Sequence, residues 1–125
     1  MARKKSPTLT EAELRLMEVL WDRGKSTVNE VADAVAGTAP LAYSTVLTTL
    51  RILERKGYLR HAKEGRAFVY EPIVGRGEAS RSAVRYLLSR FFSNSPELLV
   101  LNMLEDEEID QQELDRLKSL IERSK

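Results

Sequence analysis

The sequence predicts a mostly α-helical chain that contains one small β-hairpin. Over most of its 125 residues, apolar side chains recur three and four positions apart, which is the spacing of one face of a helix. The spacing changes only in two short runs, Tyr58 to Ala62 and Ala67 to Glu71, which Lys-Glu-Gly-Arg separates. Three predicted helices precede this hairpin, and that order is typical of a winged helix-turn-helix domain.

The first two helices are predicted from their capping residues. Thr10 and Glu13 have the capping-box spacing, in which a hydroxyl and a carboxylate each accept a hydrogen bond from a free backbone N–H at a helix start. Gly24 is expected to end this helix. Thr27 and Glu30 repeat the same spacing, so we expect them to begin a short second helix.

The third helix, predicted from about Ala42 to Lys56, has two different faces. One side is apolar and carries Tyr43, Val46, Leu50 and Leu53. The other side carries hydroxyl groups, on Ser44, Thr45, Thr48 and Thr49. Gly57 is the expected C-terminal cap. Such a helix packs one face on a core and presents short polar side chains on the other.

A domain boundary is predicted at Gly75, Arg76 and Gly77, which we expect to form a flexible joint. On this basis a winged-helix domain occupies residues 8–74, and a domain of three helices occupies residues 78–125. The two parts also differ in charge. The chain has 20 Lys and Arg against 19 Asp and Glu, but the positive excess lies before the joint and the negative excess after it. The split suggests two different functions.

The second predicted domain has typical helix starts at Ser95 before Pro96 and at Asp110 before Glu113. Its apolar residues exceed what three short helices can bury alone. We therefore predict that this domain pairs with a second copy of the chain. The expected dimerisation residues are Leu87, Phe91, Leu98, Leu101, Leu104, Leu114, Leu117 and Ile121.

The composition argues against catalysis. The chain has no Cys and only one His, His61, so no cluster of reactive groups is expected. We interpret His61 as an exposed or half-buried strand residue; the alternatives are a phosphate contact, a ligand or a pH switch. The acidic run from Glu105 to Glu108 lacks the spacing of a calcium loop. We expect no cofactor and no metal. No signal peptide or bilayer-length apolar run is evident, so we expect a cytoplasmic protein.

The hydroxyl face of the third helix predicts contact with DNA. Ser44, Thr45, Thr48 and Thr49 are short enough to let a helix enter the major groove and to read base edges. The expected phosphate contacts are Arg51, Arg55, Lys63 and Arg66, of which the last two lie near the hairpin tip. Two alternatives stay open: the face is merely solvated, or the module binds protein instead of nucleic acid.

Several segments resemble the penicillinase-repressor family of the BlaI/MecI type, from about Leu9 to Ile121. The resemblance lies in the start of the first helix and its Leu20-Trp21 ending, in "YSTVLTTLRILERKGYL", in "KEGRAFVYEP" and in "LVLNML". It implies a homodimer that occupies a pseudo-palindromic operator and blocks transcription, in relatives that govern β-lactam resistance or other stress genes. Ser44, Thr45 and Thr48 match the family's base-reading positions.

The resemblance also implies a mode of release and shows where this chain departs from its relatives. Well-known family members carry Lys where Ser44 stands and Arg where Ile52 stands. The operator sequence of those members is therefore not assigned to this chain. Copper-responsive relatives have a cysteine cluster that this chain lacks. In the family, a membrane sensor protease can cut the dimerising part, and the corresponding bond is Asn102-Met103. The alternative is that this segment only forms dimer core.

Overall fold

The computed structural model describes residues 8–105 and 110–124, with six helices and three strands. The helices are α1 (Glu11–Arg23), α2 (Val28–Ala36), α3 (Tyr43–Arg55), α4 (Arg76–Phe91), α5 (Pro96–Glu105) and α6 (Gln111–Ser124). The strands are β1 (Ser26–Thr27), β2 (Leu59–Glu64) and β3 (Ala67–Pro72). The predicted fold class, mostly helical with a small hairpin, is confirmed. Within the described ranges, none of the helices combines the length and the apolar character needed to cross a bilayer.

The predicted helix starts are present. Thr10 Oγ1 accepts the backbone N–H of Glu13 at 3.1 Å, and Glu13 Oε1 accepts the backbone N–H of Thr10 at 2.8 Å. Thr27 and Glu30 make the same pair of bonds at the start of α2. Ser95 caps α5, since its Oγ accepts the backbone N–H of Leu98 at 3.2 Å. These local rules therefore place the starts of α1, α2 and α5 correctly along the chain.

The hairpin belongs to a three-stranded antiparallel sheet with the order β1-β3-β2. Tyr70 in the central strand pairs with Ser26 on one side and with His61 on the other. The turn is shorter than predicted, because β2 extends through Glu64 and β3 begins at Ala67. Gly65 has a φ of +63°, at the turn position where a type II′ turn requires glycine.

The core lies between the first three helices and the sheet. It contains Leu16, Met17, Leu20, Val31, Val35, Val46, Leu50, Leu53, Tyr58 and Leu59, all almost inaccessible to solvent. The prediction for Tyr43 is wrong, because this side chain is 51% exposed. Tyr43 is the first residue of α3 and lies beyond the edge of the core, whereas Val46 begins the buried stripe one turn later.

The predicted flexible joint is also wrong in part, because α4 begins at Arg76 and includes Gly77. Arg76 Nη2 donates to Asp22 Oδ1 at 2.9 Å, and its guanidinium lies 5.3 Å from the centre of the Trp21 ring. These contacts fix the start of α4 against α1. One compact unit of the chain, the first unit, ends at Ala83, and the second unit begins at Val84.

Candidate nucleic-acid interface

The α3 helix has one buried and one exposed face. Val46, Leu50 and Leu53 are fully buried, whereas Ser44, Thr45 and Thr48 are exposed. Thr49 is half-buried, and its hydroxyl donates to the Thr45 carbonyl at 2.8 Å. The structure therefore presents three hydroxyl side chains side by side, together with one whose donor is already used within the helix.

The start of α3 differs electrostatically from the starts of α1 and α2. Ala42 at its N-cap makes no side-chain hydrogen bond, and the first turn contains no acidic residue. In α1 and α2, by contrast, Thr and Glu side chains satisfy the first N–H groups. The positive end of the α3 dipole is thus left without an anion from these positions.

Arg51 lies near a buried tyrosine. The Tyr70 side chain is only 2% exposed, and Arg51 is close enough to its hydroxyl to affect its pKa. Burial raises the pKa of Tyr70, the Glu54 carboxylate raises it further, and Arg51 acts in the opposite direction. The Tyr70 hydroxyl is therefore neutral, so it does not cancel the charge of the nearby Arg51 guanidinium.

The structure brings a carboxylate into this cationic surface, which the sequence did not indicate. Glu54 lines a shallow cleft together with Thr48, Arg51 and Arg55. Its two oxygens lie 2.7 and 2.8 Å from Nδ1 of His61, which is in β2. The His61 ring also meets Phe68 edge-on and lies beside Tyr70, with 5.4 Å between ring centres in both cases. His61 is thus an exposed strand residue, as the first interpretation predicts, and its contact with Glu54 was not predicted.

Lys63 and Arg66 lie at the free end of the hairpin. Lys63 is in β2 opposite Phe68, Arg66 is in the turn, and both are exposed. Arg60, further from the turn, is paired with Glu71 at 2.6 Å. Lys63 and Arg66 have no ion-pair partner among the residues that the structure describes. Their charges are therefore available to a polyanion.

A cleft of about 490 Å³ separates the hairpin from α2 and α3. Arg66 and Phe68 line it on the hairpin side, and Asn29 and Tyr43 line it on the helical side. Sequence reasoning missed Asn29, Tyr43 and Phe68 as surface residues of this region. The exposure of Phe68 follows from strand alternation, since its neighbour Val69 is buried.

The second unit leaves most of its apolar side chains exposed. Phe91 is 76% exposed and Ile121 is 58% exposed. Leu87, Leu98, Leu101 and Leu117 are also exposed, whereas Leu104 and Leu114 are half-buried. Asn102 and Met103 both lie within α5.

Of the acidic run, only Glu105 is described; Asp106, Glu107 and Glu108 lie outside the described residues. Within the described part of the chain, no three acidic or histidine side chains form a metal-binding group.

Comparison with known proteins identifies the family. The family profile described as "Penicillinase repressor" matches residues 9–123. The chain belongs to the penicillinase repressor family. A penicillinase repressor from Bacillus licheniformis is 34% identical to it over 122 residues, which cover 98% of this chain and 95% of that protein. The resemblance predicted from the sequence is confirmed, and so is the prediction of a repressor with no enzymatic activity.

Solved structures resemble the N-terminal part of this repressor. The DNA-binding domain of the repressor BlaI has a TM-score of 0.55 and 38% identity, and the match covers 61% of this chain and 93% of that one. The monomeric form of Bacillus licheniformis BlaI, solved in complex with the blaP half-operator, has a TM-score of 0.51 and the same identity and coverage. The predicted winged helix-turn-helix domain is confirmed.

Proposed function

We propose that this repressor acts as a homodimer that occupies a pseudo-palindromic operator through α3 and the β2-β3 hairpin. The observation that carries the proposal is the two-sided α3 helix, in which fully buried Val46, Leu50 and Leu53 hold Ser44, Thr45 and Thr48 at the surface. The relative solved with its half-operator supports the same role for this part of the chain. The operator lies in the bacterial cytoplasm, which is the compartment we propose.

Base reading is assigned to Ser44, Thr45, Thr48 and Thr49. Hydroxyl side chains can donate to or accept from base edges, and the threonine methyl group can contact the methyl group of thymine. Thr45 and Thr48 are exposed and one turn apart, so both face the same side of the helix. Thr49 contributes only as an acceptor, since its hydroxyl already donates to Thr45.

Phosphate binding is assigned to Arg51, Arg55, Lys63 and Arg66. Contacts to phosphate orient a protein on the duplex but carry little sequence information. Arg51 lies near the neutral hydroxyl of Tyr70, and Lys63 and Arg66 extend from the hairpin. The uncapped start of α3 adds a favourable dipole for a phosphate nearby.

Dimerisation is assigned to the second unit, through Leu87, Phe91, Leu98, Leu101, Leu104, Leu114, Leu117 and Ile121. Exposed apolar side chains at this density favour burial against a second copy. A two-fold dimer offers two α3 helices to half-sites about 34–36 Å apart. Linking the two binding events raises operator affinity by roughly a hundredfold or more over that of one half.

Release is assigned to a cut at Asn102-Met103 by a membrane sensor protease. The cut would separate α6 and the end of α5 from the rest of the second unit. Leu104, Leu114, Leu117 and Ile121 would be lost with that fragment. The remaining apolar surface is too small to hold a dimer, so the operator would be released without any change at α3.

The test is a binding titration against the DNA upstream of the protein's own reading frame, compared with random duplex. We expect Thr45→Ala and Thr48→Ala to weaken operator binding by about 1–3 kcal/mol while changing binding to random duplex much less. Ser119→Ala is the matched control, because it removes a hydroxyl from α6 in the second unit. Equal losses on both duplexes would show that α3 does not read bases, and no DNA binding would favour a protein-binding module.

A further inference from the structure

A cavity of about 320 Å³ opens in the first unit between α1 and the start of α4. The α1 side presents the large side chains of Leu14 and Trp21, and the α4 side presents only Ala79, Ser80 and Ala83. Because the α4 side chains are small, they leave the space unfilled where larger ones would close it. Leu14 is consequently 40% exposed although it belongs to an apolar stripe.

The charges around this cavity are unequal. Glu18 lines it and has no ion-pair or hydrogen-bond partner among the described residues. Arg76 also lines it, but its charge is already matched by Asp22 at 2.9 Å. Among the described residues that line the cavity, the unmatched charge is therefore negative.

The pKa of a second residue in the cavity wall also indicates negative charge nearby. Tyr58 lies in the wall and is almost fully buried. Burial raises the pKa of its hydroxyl, and the nearby carboxylates of Glu13 and Glu78 raise it further. Nearby negative charge repels a phenolate, which raises the pKa of the tyrosine, and it attracts a bound cation.

We propose that the cavity binds a small aromatic cation of the quaternary-ammonium class. The apolar walls suit the ring, and the Glu18 carboxylate and the Trp21 ring suit the positive charge. A cavity of about 150 Å³ in another protein accepts benzene, so twice that volume accommodates a ring that carries a trimethylammonium group. Within the protein, the Arg76 guanidinium lies 5.3 Å from the centre of the Trp21 ring, a distance at which a cation and an aromatic ring attract each other.

The site does not depend on operator binding, so it is tested on the full chain without DNA. Trp21 is the only tryptophan, so its fluorescence reports directly on the cavity. The probe is phenyltrimethylammonium, and its uncharged isostere is tert-butylbenzene; benzoate serves as the anion. We expect saturable quenching by the cation, with an affinity at least about fivefold above that of the isostere, and none by benzoate.

Two variants test separately how the cavity walls and the Glu18 charge contribute to binding of the probe. Ala83→Leu fills the cavity from its exposed rim and should abolish quenching while leaving the circular dichroism spectrum unchanged. Glu18→Gln should reduce the preference for the cation about two- to fivefold and leave the isostere's affinity unchanged. Glu97→Gln is the matched control, since it removes an exposed carboxylate from α5.

Three results would overturn the proposal. Equal affinities for the cation and its isostere would assign the cavity to neutral apolar ligands. Unchanged quenching in Ala83→Leu would place the probe elsewhere. Trp21 fluorescence that changes with protein concentration alone, with no response to the probe, would show that a second copy of the chain covers the cavity.

Discussion

Lys56 donates from its Nζ to Oε1 of Glu13 at 2.7 Å, and the same oxygen accepts the backbone N–H of Thr10. This bond joins the first turn of α1 to the residue that follows α3, and Glu13 is buried. Burial acts to raise the pKa of Glu13, but the bonds from Lys56 and Thr10 outweigh it, so the pKa lies below its ordinary value. The ionised carboxylate therefore stabilises the folded state.

The first prediction concerns stability and its dependence on pH. Glu13→Gln should lower the free energy of unfolding by about 1–3 kcal/mol at neutral pH, because Lys56 loses its negatively charged partner. Since the pKa of Glu13 is lowered by folding, its contribution is complete above the ordinary pKa of an unfolded glutamate and is lost as the pH falls through the lower folded pKa. Urea unfolding of the unchanged protein and of Glu13→Gln should therefore show a difference in the free energy of unfolding that decreases as the pH falls.

Glu30→Gln is the control for this experiment, because Glu30 closes the other capping box from an exposed position. We expect Glu30→Gln to lose less stability than Glu13→Gln. If the two variants lose equal stability and respond equally to acid, the bond between Lys56 and Glu13 does not contribute to stability.

The second prediction concerns Tyr70 as the residue that positions Arg51. Tyr70→Phe keeps the buried ring but removes the hydroxyl that lies near Arg51. We expect operator affinity to fall about two- to tenfold while folding stability changes by only about 0.5–1.5 kcal/mol. Arg51→Ala should reduce affinity further, and Tyr70→Phe should have little effect in that background, since both changes remove the same contact.

Tyr86→Phe is the matched control, because it removes a partly exposed hydroxyl from α4 in the second unit. Fluorescence anisotropy with labelled operator measures all these affinities. Full additivity of Tyr70→Phe and Arg51→Ala would show that the tyrosine acts independently of Arg51.

The third prediction distinguishes the hairpin from α3. Lys63→Ala and Arg66→Ala should weaken binding to operator and random duplex about equally. Each should lower the slope of log affinity against log salt by roughly one unit, because each lost phosphate contact retains about one counterion on the DNA. Lys118→Ala, in α6, removes the same charge from the second unit and should leave the slope unchanged. A slope that stays constant in both hairpin variants would mean that the hairpin does not contact phosphate.

Much of the fold depends on neighbours close in sequence and could therefore be predicted. The capping boxes at Thr10 and Thr27 need only residues three positions apart, and the hairpin shows its change of spacing directly. The strand Ser26–Thr27 could not be predicted, because two residues show no alternation and their pairing depends on Tyr70, far along the chain.

The parts of the site that sequence reasoning missed depend on packing between elements. Glu54 and His61 meet only because β2 packs beside the end of α3. Tyr43 shares the spacing of the buried stripe, but the core ends before the first turn of α3. Arg76 lies between two glycines that suggest a joint, yet its contacts with Trp21 and Asp22 start a helix there.

The last prediction connects the second unit to release of the operator. A recognition sequence for a specific protease, inserted between Asn102 and Met103, allows a cut inside α5 at a chosen time. We expect the cut protein to become monomeric in analytical ultracentrifugation and to lose roughly a hundredfold in operator affinity, while its affinity for a single half-site stays the same. Leu117→Asp should have the same effect without a cut, because Leu117 is exposed in one chain and is assigned to the dimer, whereas Gln112→Asp on the same helix should not. If the cut protein remains a dimer with full operator affinity, loss of the dimer is not the means of release.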